Sequence, residues 1–597
     1  MSGRHLPRFG SIAVSLTITA AVALIAAWLL MPHFHHRYML SLLSSLDPAE
    51  RDRALVYVRN HAGADPRVTR EAVAAMEAAD AALFIQVVEA LDHAGQWGRG
   101  GVTDRALLRW ISMLHADPDP EARILAAQHA AQLADVPDPE QVECLLGRLL
   151  DDDQPEVRYN AVVALAELSA ATTSRDVWRH LLVRALDDRE PEVARHGWLF
   201  AGLLSAVPTT SPDWRNAAPR VVDAMLWATV QTRPDGVAAA LDAIRDESAD
   251  PRTRAAAAYA LQFASTQEVT RTLRGLLRQG SGSVDDVNRI VYWRTILGVE
   301  VVQPDAASEG DRFMDGLTVT PLSDRLRPLL AAVLSKDSRV GRNYLNRTAA
   351  SDRDPLLTLA ALEGLKVGEF AEPIPSDAGD LIRLAAAAVV SNPDPRDWYR
   401  LFAANRAEMR DLACVVAAQR CSDAQIEKLV ASLMGDYDDT AKMSGAVLAG
   451  LTGSQSKLLE RKWKGEDVWI VKRIQELGLW MQGRRPCVAA TTLLVREDVP
   501  RSTVLLAMLH ADRTAALDYL LNPRGDLRLD LVELLHHYRW WHVLRRYLPP
   551  GAPPFWLWAD PGLQAFQVEV LRNWYLVNRA GLSERGGDSV ETTSTWR

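Results

Sequence analysis

The side chains whose types and spacing could support chemistry fall into a few small groups. The stretch PHFHHR places His33, His35 and His36 side by side. Three imidazoles this close have the donor type of a transition-metal site. No carboxylate or cysteine stands nearby in sequence to complete one, so the plainer reading is polar filler. A second group, His536, His537 and His542, lies near the other end. His537 and His542 are five apart, off the i, i+4 spacing that presents two ligands on one helical face. Pairing of His536 with Asp530 or Glu533 is the plainer alternative. Asp151 to Asp153 have the acidity of a calcium loop, but they sit between two helical segments, where acids serve as turns and caps. Of the four cysteines, Cys144, Cys414, Cys421 and Cys487, no two form a CxxC pair, which excludes zinc ribbons and thioredoxin-type redox motifs. Cys414 and Cys421 would allow a disulfide across a turn; free thiols acting as small core hydrophobes are the simpler expectation. HExxH, GxxxxGK[ST] and GxSxG are all absent. GRGG at Gly98 and GSGS at Gly280 follow helical segments, not strands, so neither reads as a phosphate loop. No catalytic residue, no metal site and no cofactor is expected, and the chain reads as a non-enzyme.

Two further clusters are suited to recognition. SKLLERKWKGEDVWIVKRIQ, residues 456–475, holds four of the eight lysines in the chain. Lys462, Trp463 and Lys464 there would make a docking patch for an anionic partner or lipid headgroups; the alternative is a solvated helix face balanced by Glu460 and Glu466. HHYRWWHVLRRYLPPGAPPFWLWADPG, residues 536–562, gathers Trp540, Trp541, Trp556 and Trp558. Large rings bury much apolar area per residue, which suits a cap over the end of a helical array. Exposed, Trp556 and Trp558 would instead form a docking site for a protein, a glycan or a membrane surface.

The elements behind these residues are helical. The chain has 597 residues, 48% of them hydrophobic, far beyond one ordinary core. Its net charge of -9 lacks the basic excess of a dedicated nucleic-acid binder. A recurrent signature sets the period: DPRVTREAVAAMEAA from Asp65, DPEARILAAQHAAQL from Asp119, QPEVRYNAVVALAEL from Gln154, EPEVARHGWLFAGLL from Glu190 and DPRTRAAAAYALQFA from Asp250. An acid before proline caps the first free N–H groups, and proline in the first turn loses no hydrogen bond. Glu121, Glu156 and Glu192 then sit where the helix dipole favours negative charge. Val157, Ala161, Ala164, Leu165 and Leu168 fall on one face. Each such helix follows another: Val142, Leu145, Leu146, Leu149 and Leu150 share a face, as do Val177, Leu181, Leu182, Ala185 and Leu186.

The unit of helix, acidic turn, capped helix and short loop resembles the HEAT-repeat family, in its short bacterial, phycobilisome-lyase-like form. LLDDDQPEVRYNAVVALAEL and ALDDREPEVARHGWLFAGLL carry the resemblance, which is specific over residues 104–206 and fainter over 47–97 and 250–265. It implies an all-α fold, an α-solenoid of helix pairs whose concave face binds other proteins. Some relatives act on bilin chromophores, but no residue here maps onto such an activity. Helical period continues past residue 300 without the signature, from Asp354, Asp380, Glu408 and Asp438.

SIAVSLTITAAVALIAAWLLM, residues 11–31, is uncharged and long enough for a transmembrane helix. The expected organisation is a basic tail (1–10), a transmembrane helix (11–31), a juxtamembrane segment (32–46), HEAT-like repeats (47–300), a polar loop insertion (301–322), divergent repeats (323–535), an aromatic cap (536–580) and a disordered tail (581–597). The expectation is a single-pass membrane protein with its bulk on the extracytoplasmic side, acting as a scaffold or adaptor for protein partners. Glycan or cell-wall binding through the Trp-rich end, or an accessory lyase-like role, are the alternatives.

Overall fold

A computed structural model of the chain describes residues 35–264 and 339–584, together with 269, 271–273 and 275, except 46, 79–80, 95–103, 136–138, 172–174, 209–212, 247, 352–354, 366, 371–378, 391–392, 394, 437, 455–458, 460–468, 485–499, 523–530, 537–538, 550, 558 and 560. The described residues are helical, with a single isolated β-bridge between Phe370 and Val390. Two compact units divide between Leu181 and Leu182.

The first unit contains α1 (Pro48–His61), α2 (Pro66–Ala78), α3 (Ala81–His93), α4 (Asp104–His115), α5 (Pro120–His129), α6 (Pro139–Leu150) and α7 (Pro155–Ala171). Their starts follow the capping chemistry. Asp47 accepts from the Ala49 N–H at 2.9 Å, and Asp119 from the Glu121 N–H at 3.1 Å. Neighbours pair across short turns, α4 with α5 and α6 with α7, while α5 also packs on α7. This next-but-one contact is the stacking of an α-solenoid. It is possible because the α7 face is small or slim: Val157, Ala161, Ala164, Leu165 and Leu168 are fully buried. The turns before α5 and α7 are each locked by an arginine in the first turn of the following helix. Arg123 donates to the carbonyls of Asp117 (3.2 Å) and Pro118 (2.9 Å), and Arg158 to those of Asp152 (2.9 Å) and Asp153 (3.2 Å). Arg123 also donates to the Asp152 and Asp153 carboxylates of the next turn, both at 2.8 Å. The acidic run at 151–153 is therefore occupied in joining turns. His36 packs on α1, where it bonds the Tyr57 hydroxyl, and lies 3.5 Å from Asp65. His35 stands edge-on to the same ring.

α8 (Arg175–Ala185) runs across the division. The second unit continues with α9 (Pro191–Leu203), α10 (Val222–Thr232), α11 (Pro234–Arg245), α12 (Pro251–Ala260), α13 (Arg339–Ser351), α14 (Pro355–Gly364), α15 (Asp380–Val389), α16 (Pro395–Phe402), α17 (Ala407–Arg420), α18 (Asp423–Met434), α19 (Asp439–Thr452), α20 (Trp469–Met481), α21 (Arg501–Ala511), α22 (Arg513–Leu521), α23 (Leu531–His536), α24 (Trp541–Tyr547) and α25 (Pro561–Glu584). The same stacking recurs in α10 on α12, α15 on α17, and α17 on α19. Asp250 caps α12, and Asp438 caps α19. Arg410 repeats the arginine lock on Ala404 O (2.6 Å) and Asn405 O (3.1 Å).

Several expectations change. The single-pass membrane placement, and with it an extracytoplasmic bulk, is overturned: among the described residues no helix is long and apolar enough to cross a membrane. The 24-residue α25 carries Glu569, Arg572, Arg579 and Glu584 along its length. The apolar run at 11–31 itself lies outside the described residues, as do the tail at 1–10, His33, Cys487, the loop at 301–322 and residues 585–597. The stretch before PPGAPP, which reads as one helix, is two. α23 and α24 are separated at Arg539, whose φ of 55° is left-handed, a conformation that does not continue a right-handed helix. Cys144, Cys414 and Cys421 are free thiols, and Cys414 is buried with its Sγ 3.4 Å from Ser444 O.

Candidate functional site

α25 determines where functional groups gather, because it is buried on more than one side. Of its apolar stripe, Leu563, Phe566, Val570, Trp574 and Val577, the first three are fully buried and the last two half-buried, while Leu571, Tyr575, Gln564, Gln567 and Asn573 are fully buried as well. One side meets α9 and α12 and another meets α22 and α23, so the last helix lies between early and late repeats of the second unit. A terminal cap would cover only its neighbours.

The junction of α25 with α9 is charged. In PEAR and PEVR the arginine stands third after proline and folds back on its own turn. In PEVAR, Arg195 stands fourth. One extra residue rotates the side chain by about 100° around the helix and aims it at α25. Arg195 Nε lies 2.8 and 2.7 Å from the two oxygens of Glu569, 374 residues away in sequence. Its Nη1 donates to Asp223 Oδ1 at 2.6 Å and to Arg220 O at 2.5 Å. The guanidinium also lies 5.2 Å from the centroid of the Phe566 ring. Burial works against the charge of Arg195; the carboxylates of Glu569 and Asp223 outweigh it and hold the group above its ordinary pKa. Burial pushes the Asp223 carboxyl up, against the pull of Arg195. Beside this pair, His196 Nε2 lies 3.4 Å from Glu569 Oε1, and Glu192 is within reach on the same face of α9.

Aromatic contacts continue the junction. Tyr259 of α12 donates its hydroxyl to Pro554 O at 3.1 Å, and its ring stands edge-on to Trp556 at 5.0 Å and to Phe566 at 6.1 Å. The Trp556 N–H of the backbone donates to Gln567 Oε1 at 2.7 Å, and the residue is 6% exposed. At the far side, Asp518 of α22 accepts from the Tyr575 hydroxyl (2.8 Å) and from Arg579 (2.7 Å).

Two buried polar centres lie elsewhere in this unit. Glu363 of α14 meets Arg539 Nε at 2.9 Å and His542 Nε2 at 3.8 Å. Burial lowers the His542 pKa, against the pull of Glu363. This is where the second histidine group is used: His542 pairs with a glutamate far away in sequence, and His537 lies outside the described residues. Asp411 of α17 accepts from Ser502 Oγ at 2.5 Å and from Thr503 Oγ1 at 2.9 and 3.1 Å. Burial pushes its carboxyl up to about 7, against those hydroxyl donors.

Of the residues expected to bind partners, Trp556 is buried at the junction. Trp558, Lys462, Trp463 and Lys464 lie outside the described residues. Arg195, Asp223, Tyr259 and Glu569 escaped the sequence reading. The shifted arginine of PEVAR was the one local signal available; nothing local marks its partner on α25.

Residues 107–199 match a family of HEAT repeats, which extends from within α4 to within α9. Among solved structures, the chain is similar to Kap121p in the crystal structure of Kap121p bound to Ste12p, with 13% identity and a TM-score of 0.37. The similarity covers 92% of this chain and 65% of that one, so the chain spans less than two thirds of that relative. No curated protein matches.

Proposed function

We propose that the protein is a non-enzymatic helical-repeat scaffold or adaptor that holds protein partners. The observation that carries this reading is the way the helix pairs are fixed. Turn-locking arginines set three of the turns, the Arg123–Asp152 bond ties one turn to the next, the Arg195–Asp223 bond ties α9 to α10, and α25 braces the second unit. Fixed helices hold a surface in one shape, which lowers the ordering cost of binding. The HEAT-repeat match at 107–199 supports protein binding as the mode. The burial of Trp556 against Tyr259 and Gln567 favours this reading over stacking on a glycan.

Affinity capture with the full chain, followed by cross-linking mass spectrometry, tests the proposal. The expected result is a small set of proteins recovered in stoichiometric amounts, with cross-links on the repeat helices between α4 and α9. Recovery of no such protein, alongside glycan binding or substrate turnover by the purified chain, would contradict it.

A further inference from the structure

We propose that Glu192, His196 and Glu569 form a binding site for a divalent transition-metal cation, best suited to zinc, which ties α25 to α9. The site is independent of the scaffold reading. Glu192 and His196 are four apart on α9 and so share a face, and Glu569 comes from α25. Their ligand atoms all lie within 4.8 Å of one another.

The histidine geometry carries the argument. His196 Nδ1 lies 2.9 Å from the Glu192 carbonyl oxygen. A carbonyl can only accept, so Nδ1 holds a hydrogen and Nε2 is the ring nitrogen left to ligate a metal. That nitrogen faces Glu569 Oε1 at 3.4 Å. A metal ion set between this nitrogen and this oxygen would take one ligand atom from each helix. Zinc bonds of about 2.0–2.2 Å at tetrahedral angles place ligand atoms about 3.3–3.5 Å apart, which is the separation this pair already has.

The surroundings fit a metal. Arg195 Nε holds both Glu569 oxygens at 2.7–2.8 Å and fixes the direction of the carboxylate, as outer hydrogen bonds do for ligating carboxylates. The backbone carbonyl on Nδ1 fixes the imidazole in the same way. One nitrogen and two carboxylate oxygens make a three-residue set with a fourth position left for water, since Glu192 is exposed. An imidazole ligand favours zinc over calcium or magnesium, which take oxygen donors.

The full chain, stripped with a chelator, is titrated with zinc chloride by calorimetry and followed in a thermal melt. Cobalt(II) absorption reports coordination in parallel. The parent should bind an equivalent of zinc that raises its melting temperature, and cobalt should give the visible bands of a tetrahedral site. His196→Ala and Glu192→Gln should each lose that equivalent, the temperature rise and the bands. Glu192→Gln is at the surface and leaves the Arg195–Glu569 pair intact, so its metal-free melt should match the parent and separate lost binding from lost folding. His180→Ala, which breaks the His180–Glu143 pair of the first unit, should change nothing. The proposal is overturned if no saturable zinc binding occurs, or if binding survives both ligand variants.

Discussion

Arg123, Arg158 and Arg410 each reach the carbonyls five and six residues behind them, and Arg195, one position later in its helix, reaches α25 instead. Charged hydrogen bonds of this kind are worth about 1.5–3 kcal/mol each. Arg158→Ala should therefore lower stability by about 2 kcal/mol, read as a lower urea midpoint. Arg158→Lys should recover little, because a single ammonium lacks the planar fork that spans two carbonyls. Asp411 gives a pH signature. Its folded carboxyl, at about 7, sits above the unfolded value near about 3.9. The contribution to stability is fully present below the unfolded value and is lost as pH rises through 7, on the order of 4 kcal/mol across that range. Asp411→Asn should flatten melting temperature against pH between about 4 and 7 and melt above the parent at pH 8. A flat parent profile would refute the buried-acid assignment. At this scale the Asp–Pro caps were legible, because cap and N–H lie two residues apart. Asp411 was not, because its partners Ser502 and Thr503 are brought to it only by the packing of α17 on α21.

The break between α23 and α24 is the element whose sequence misleads most. RLDLVELLHHYRWWHVLRRYL keeps an apolar period throughout, so a single helix is the natural reading. Arg539 nevertheless adopts a φ of 55°, and the break directs its guanidinium onto Glu363, where both side chains are 6% exposed. Removing one member of a buried pair leaves the other charge stranded, at about 3–5 kcal/mol. Arg539→Ala should cost that much, and the double variant with Glu363→Ala should cost less than the sum of the two singles. Additive losses would show that the pair does not couple. Gly236 tests element packing in a different way. A Cβ there would lie 2.2 Å from Thr229 O and 2.3 Å from Thr229 C, backbone atoms that cannot rotate aside. Gly236→Ala should lower stability by about 1–3 kcal/mol through displacement of α11 from α10, visible as a lower melting temperature. The starts of α17 and α19 were legible from the acids at Glu408 and Asp438, although both helices are buried on nearly every side. The position of α25 was not: Gln564, Gln567 and Asn573 are polar by type and read as solvent-facing, and all three are buried.

At the scale of the molecule, α25 is a brace inside the second unit, packed on α9 and α12 as well as on α22 and α23. Two features make this placement physically sound. The helix satisfies its charge at both sides, Glu569 with Arg195 and Arg579 with Asp518, and the strap before it seats Trp556 against Tyr259. Such a contact spans hundreds of residues, and no local period encodes it, which is why the Trp-rich end reads as a cap from sequence. Truncation of a buried aromatic to alanine costs about 3–5 kcal/mol in typical cores, so Trp556→Ala should loosen whatever the segment holds together. Native-state hydrogen exchange on the full chain, parent against Trp556→Ala, reads this directly. The brace predicts faster exchange in α12 and in α22 together, elements far apart in sequence that both pack on α25. Faster exchange confined to residues 531–584, with α12 unchanged, would contradict it.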